Sequence, residues 1–140
     1  MSTLSSAINA SASALDAQRT RMEVAISNMA NAESTRSADG GPYRRREVVL
    51  ESQPFGANFD GTAPATGVRV AAVLEDQTDF QRRYEPSHPD RDADGFVAVP
   101  NVDVPEEMVD MLGAARAYQA NLTAIGLIRD TVQRALDLAK

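Results

Sequence analysis

The sequence predicts an α+β protein in which long N- and C-terminal helices pair as a coiled coil and flank a small β-rich middle region. Three observations predict it. Apolar residues recur at alternating steps of three and four across 103–140, the period of a coiled-coil seam. A sparser stripe of the same kind opens the chain. Between the two, the period shifts toward two and Gly, Pro, Asn and Asp punctuate short β-prone runs.

The first segment, 1–33, reads as a helix. Ser2 or Thr3 is placed to cap it, its interior lacks Gly and Pro, and Asn28 to Asn31 begins the exit. Leu4, Ile8, Leu15, Met22, Ile26 and Met29 fall at multiples of the seam period, with Ser11 and Gln18 filling the gaps. The middle segment, 34–102, opens with a polar stretch that ends in Asp39-Gly40-Gly41-Pro42, backbone chemistry that helices exclude. Tyr43 to Glu51, Val68 to Glu75 and Phe96 to Val99 read as short strands of a small twisted sheet or hairpin group. Loops are expected at 54–67 and 86–95, the first of them mobile.

The last segment, 103–140, starts clearly. Asp103 is placed to cap, Pro105 suits the first turn, Glu106 completes a capping box, and Glu106 with Glu107 suits the positive end of the helix dipole. Its seam reads Met108, Met111, Ala115, Tyr118, Leu122, Ile125, Arg129, Val132, Leu136 and Ala139. Gly113 and Gly126 cost about 1 kcal/mol each relative to Ala inside a helix, so something should offset them. With Ala114, Ala117 and Ala120 they keep the helix slim, while Leu112, Leu127, Ile128 and Leu138 add apolar surface off the seam. One partner would not cover all of it. The pattern fits a two-sided core helix or a helix packed among several. The two seams can pair with each other, with other copies, or with both.

Composition narrows the function. The chain has 140 residues, enough for one core; net charge is −6, which disfavours a general nucleic-acid or anionic-membrane binder. Cysteine is absent, removing disulfides, thiol nucleophiles and Cys-ligated metals. No run of about eighteen apolar residues exists to insert in a membrane. The first basic side chain is Arg19, so a cleaved secretory signal is not expected.

No catalytic, cofactor-binding or metal-binding residues emerge. Asp90-Arg91-Asp92-Ala93-Asp94-Gly95 opens like an EF-hand calcium loop, but Asn101 stands where the bidentate Glu is required, and Pro89 and the β-prone residues after Gly95 deny it flanking helices. It reads as an Asp-rich turn. His88, the only histidine, lies between Ser87 and Pro89 and reads as an exposed loop residue without a nucleophile to serve. Arg44-Arg45-Arg46 on a strand would point to alternate faces, giving solvated charges or ion pairs between subunits and no phosphate patch. Gly40-Gly41 lacks the lysine and helix of a phosphate loop, and the sequon Asn121-Leu122-Thr123 lies inside a helix. Arg129 interrupts the C-terminal seam; a buried guanidinium needs a carboxylate, for which Asp16, Glu23 and Glu33 of the same or a neighbouring chain are candidates, or it must reach the lumen of an assembly.

Ser27-Asn28-Met29-Ala30-Asn31-Ala32-Glu33-Ser34 resembles the SNxANAxT-type motif near the start of bacterial flagellar axial proteins. Ala115-Arg116-Ala117-Tyr118-Gln119-Ala120-Asn121 resembles the SRxYQAN signature in their C-terminal helix. Between them, Tyr84-Glu85-Pro86-Ser87-His88-Pro89 and Gly95-Phe96-Val97-Ala98-Val99-Pro100-Asn101-Val102-Asp103-Val104 are similar to a stretch typical of the short proximal-rod members. Met29, Ser34, Phe96 and Ala115 replace the more usual Leu, Thr, Tyr and Ser. The resemblance implies a structural, non-enzymatic subunit of the basal-body drive shaft, located in the periplasmic rod. It would be exported by the flagellar type III apparatus without a cleaved signal and polymerise with other rod proteins and copies of itself. The implied assembly interface comprises the stripe residues of both helices together with Asn28, Asn31, Gln119 and Asn121. The other reading is a helical adaptor or scaffold of the export system. Pairing segments so far apart carries a loop-closure penalty, so the termini are expected to be loose in the monomer and ordered on assembly.

Overall fold

A computed structural model describes residues 2–38, 40–55 and 65–138 of the chain. Its elements follow in the order α1 (Ser2–Ala30), β1 (Arg46–Phe55), β2 (Ala65–Glu75), β3 (Gln81–Tyr84), β4 (Phe96–Val99) and α2 (Val104–Leu138). This is the expected α+β arrangement, with two long terminal helices and a β region between them. The helices run antiparallel and pair within the single chain, where the loop-closure penalty alone predicts loose termini. Asn28, near the end of α1, meets Glu107, near the start of α2, while Arg21 lies 3.8 Å from Asp110.

Helix α1 is the central element. It packs against α2 along one side and against β2 and β1 along another, whereas α2 packs against α1 and against no strand among the described residues. Small residues make that approach possible: Ala17 and Ala25 of α1 and Ala114 of α2 are buried. The α2 residues withdrawn from solvent include Glu107, Met111, Ala114, Tyr118, Asn121, Ile125, Ile128 and Val132, an unbroken alternation of four and three.

Against α1, the helix uses a stripe offset from the one read in the sequence. Met111, Tyr118, Ile125 and Val132 are shared, but the alternate positions are Glu107, Ala114, Asn121 and Ile128. The more apolar neighbours Met108, Leu122 and Leu136 stay exposed, as does Arg129. The polar members of this stripe are satisfied where they sit: Glu107 bonds the buried Asn28, and Asn121 satisfies its own amide on the Ala117 carbonyl at 2.8 Å, with a fully buried Ala114 between them. Arg129 makes no ion pair among the described residues. Glu23 pairs instead with Arg19 at 2.9 Å and Glu33 with Arg83 at 2.8 Å.

The β region consists of two hairpins. β1 and β2 pair antiparallel from Arg46↔Glu75 to Phe55↔Ala65, and Ala71 is bulged between the pairs Val49↔Ala72 and Leu50↔Val70. The strands reach further than the sequence pattern indicated, taking in Gln53 and Pro54 on one side and Thr66 and Gly67 on the other. The rest of the loop expected at 54–67 lies, for 56–64, outside the described residues, as do Asp39 of the predicted turn, Ala139 of the predicted seam, and the side chains of the proposed caps Ser2 and Thr3. β3 pairs with β4 from Gln81↔Val99 to Tyr84↔Phe96. β3 was not anticipated, because its four residues are all exposed and leave no alternation to detect.

The loop between β3 and β4 closes on itself. Asp92 Oδ1 accepts the amides of Asp94 and Phe96 at 3.0 and 2.8 Å, and Gly95, at φ +83°, lets the chain turn beneath the Tyr84 ring. Asp90 is bonded by the Thr35 hydroxyl at 2.9 Å and by Arg36. His88 is half-buried rather than exposed, and its Nδ1 accepts the Asp90 amide at 3.1 Å. Among the described residues no cluster of three acidic or histidine side chains is placed to hold a metal, and no helix is long and apolar enough to cross a membrane.

Candidate functional site

Two features stand out, a polar knot where α1, α2 and the start of β1 converge, and an uncovered face along α2. Asn28 is the centre of the knot. It is fully buried, and each polar atom of its side chain is used twice. Nδ2 donates to Glu107 Oε2 and to the Arg46 carbonyl, both at 2.9 Å; Oδ1 accepts the Tyr43 hydroxyl at 2.9 Å and the Arg46 amide at 3.0 Å. That is the full capacity of a carboxamide.

Glu107, 2% exposed, follows the Asp103 cap, whose Oδ1 accepts the Glu106 amide at 3.4 Å. One helical step further, the Glu107 side chain turns inward and accepts Arg45 Nε at 2.6 Å. Arg45 also has Asp76 Oδ2 at 3.7 Å. Burial works against its charge, but the hydrogen bond and charge of Glu107 outweigh it and hold the guanidinium above its ordinary range. Asn101 extends the network: its Oδ1 accepts the Arg45 amide at 2.9 Å and its Nδ2 donates to Thr78 Oγ1 at 2.8 Å. Every buried side-chain nitrogen and oxygen among the described residues has a partner.

The three consecutive arginines thus part company. Arg44 lies 4.3 Å over the Phe80 ring and donates to the carbonyls of Asp76 and Thr78, Arg45 enters the knot, and Arg46 lies 5.7 Å over the Tyr43 ring. Tyr43, Arg45, Glu107 and Asn101 were not singled out as interface residues. The available signal was Glu107, a charged residue on the stripe that Ala114, Asn121 and Ile128 continue at steps of seven.

The remaining expected interface residues distribute as follows. On α1, Ile8, Leu15, Met22 and Met29 are half-buried, whereas Leu4 and Ile26 are exposed. Asn31 closes the helix: its Nδ2 donates to the Ser27 carbonyl at 2.9 Å and its Oδ1 accepts the Ser34 hydroxyl at 3.1 Å. On α2, Ala115 is half-buried and Gln119 is exposed.

Outside its contact with α1, α2 carries exposed Met108, Val109, Leu112, Leu122, Leu127, Leu136 and Leu138, with Leu127 at 63% and Leu136 at 57%. Gly113 and Gly126 face open space, for a Cβ at either would meet nothing within 4 Å. Scattered exposed apolar residues are ordinary, but a row of them along one helix is not.

Comparison with known proteins supplies the family. Residues 93–138 match the family model described as flagellar basal body rod FlgEFG protein C-terminal. Flagellar basal-body rod protein FlgC of Bacillus subtilis is 40% identical over 144 residues, covering 95% of this chain and 96% of its own. The FlgC proteins of Escherichia coli O6:H1 and Agrobacterium fabrum are 43% and 40% identical, covering 91% and 100% of this chain and 92% and 98% of their own. Paired terminal helices, a β-rich middle and these relatives define a structural protein of the flagellar basal-body rod. Within that class, the chain belongs to the FlgC family.

Proposed function

We propose that the chain is a subunit of the proximal rod, exported by the flagellar type III apparatus without a cleaved signal and polymerising through its terminal helices into the shaft that transmits torque. The observation that carries the reading is the bare face of α2. One side is satisfied by α1, while Leu112, Leu122, Leu127 and Leu136 have no cover. Because these residues are 41–63% exposed, burying the remainder contributes about half the value of full burial, roughly 1 kcal/mol each, and packing against helices of neighbouring rod subunits supplies the missing partner. The glycines at 113 and 126, unfavourable and unopposed in the single chain, then become sites of close approach.

In this reading 1–33 and 103–140 are the axial segments and 34–102 is a β-rich body whose first hairpin lies along a second side of α1, reaching back to Ser13. The interface includes the residues expected from the two stripes, with Met108, Leu122, Arg129 and Leu136 facing other chains rather than α1. Stiffness then comes from many small helix contacts summed along the shaft. The partners are other rod proteins, further copies of this chain and the export apparatus, and the location is the periplasmic part of the basal body.

The test joins location with interface. Mass spectrometry of stringently washed hook–basal bodies is expected to find the chain at a few copies beside other rod proteins, and Leu122→Arg with Leu127→Arg is expected to abolish its incorporation while the purified variant unfolds at an unchanged temperature. A chain absent from basal bodies of a flagellated cell, and soluble in its cytoplasm, overturns the reading in favour of an adaptor.

A further inference from the structure

We propose that Asn28 is a latch that makes correct pairing of the terminal helices conditional on seating of the 43–46 segment. Within the bonded set, its carboxamide alone joins α1 directly to α2 and to the start of β1. One Nδ2 hydrogen goes to Glu107 on α2, and the other to the Arg46 carbonyl, which begins β1. Oδ1 takes the Arg46 amide and the Tyr43 hydroxyl at the same time.

Of the α2 seam residues only Glu107 and Ala114 are fully buried, and a stripe carrying Met108, Leu122 and Leu136 lies one residue away on α2. Rotating α2 would bury Met108 and Leu122, but it would also carry Arg129 toward α1 in place of Ile128 and draw Glu107 away from Asn28 and Arg45. The Asn28 amide and the Arg45 guanidinium would then lose a buried acceptor, a loss heavier than the gain of an ordinary hydrogen bond. A polar group that fixes helix register at the expense of apolar burial is a known use of buried asparagine. Here the device has a second input. Arg45 reaches Glu107 only when 43–46 is seated against Asn28, so the middle region and the helix pair license each other. The bare α2 stripe is thereby kept outward.

The experiment is hydrogen exchange on the full chain. Asn28→Asp removes both N–H donors and sets a carboxylate against Glu107. It is expected to speed exchange about tenfold or more in both 46–50 and 107–118, the scale of one buried polar group losing its partner. Adding Glu107→Gln restores a donor toward the new carboxylate and is expected to recover protection in 107–118. If Asn28→Asp leaves no folded chain, Tyr43→Phe removes one bond to Oδ1 and carries the same decision. Loosening of both segments together, with recovery by the second substitution, supports the latch. Loosening of one segment with the other unchanged, in either variant, overturns it, as does failure of Glu107→Gln to recover the helix amides in a folded Asn28→Asp chain.

Discussion

Replacing Glu107 by Ala removes the acceptor of Arg45 Nε at 2.6 Å and of Asn28 Nδ2 at 2.9 Å in a site where Glu107 is 2% exposed. Breaking a buried ion pair by deleting one partner costs about 3–5 kcal/mol. Arg45 keeps a little solvent and the more distant Asp76 at 3.7 Å, which places the loss at the lower end, about 3 kcal/mol. For a chain of 140 residues, each kcal/mol moves the melting temperature by roughly 3–5 °C, so a fall of about 9–15 °C is expected. Thermal unfolding followed by circular dichroism at pH 7 measures it. The control is Glu107→Met combined with Arg45→Met, which removes both charges and is expected to leave only the cost of the unaccepted Asn28 N–H, about 1–3 kcal/mol and smaller than the loss in the single variant. A loss below about 1 kcal/mol for Glu107→Ala, or a double variant as unstable as the single one, refutes the assignment of the pair as a buried junction.

Gly113→Ala and Gly126→Ala are expected to stabilise the isolated chain by about 1 kcal/mol each yet reduce rod incorporation and motility; stabilised chains with normal motility count against close packing there. Gly95→Ala places a Cβ 3.0 Å from Tyr84 Cε2 at φ +83°, whereas Gly41, at φ +81°, has nothing within 4 Å. Urea denaturation should therefore show a larger loss for Gly95→Ala than for Gly41→Ala, whose penalty is the backbone term alone, about 1–2 kcal/mol. Acid should act on the β region first. Asp76 is held below its ordinary range by the Thr78 amide, Asp90 by the Thr35 hydroxyl, Asp92 by the Phe96 amide and Glu33 by Arg83. Because these folded-state values lie below the unfolded ones, their stabilisation is complete above about pH 5 and is lost as pH falls through the folded values. Hydrogen exchange should thus show 33–36 and 76–96 loosening before 107–132, and the reverse order would contradict it.

The terminal helices and the middle β segment were legible in the residues themselves, because hydrophobic period and turn chemistry are local properties. Asp103 announced its helix start, and the change of period after Pro42 announced the β segment. The face of α2 that meets α1 was not legible. Two stripes one residue apart compete there, and hydrophobicity favours Met108, Leu122 and Leu136 over Glu107, Ala114 and Asn121. Tertiary structure chose the less apolar stripe, since Glu107 finds there the buried Asn28 and the part-buried Arg45, both far away in sequence. Asn28 belonged to a recognisable motif, but its four bonds depend on Tyr43, Arg46 and Glu107 arriving together. Local pattern set the elements by itself, because helix and strand periods need only near neighbours. Register and the bare outer face were decided in three dimensions, where the desolvation of a few polar groups outweighs a modest difference in apolar area.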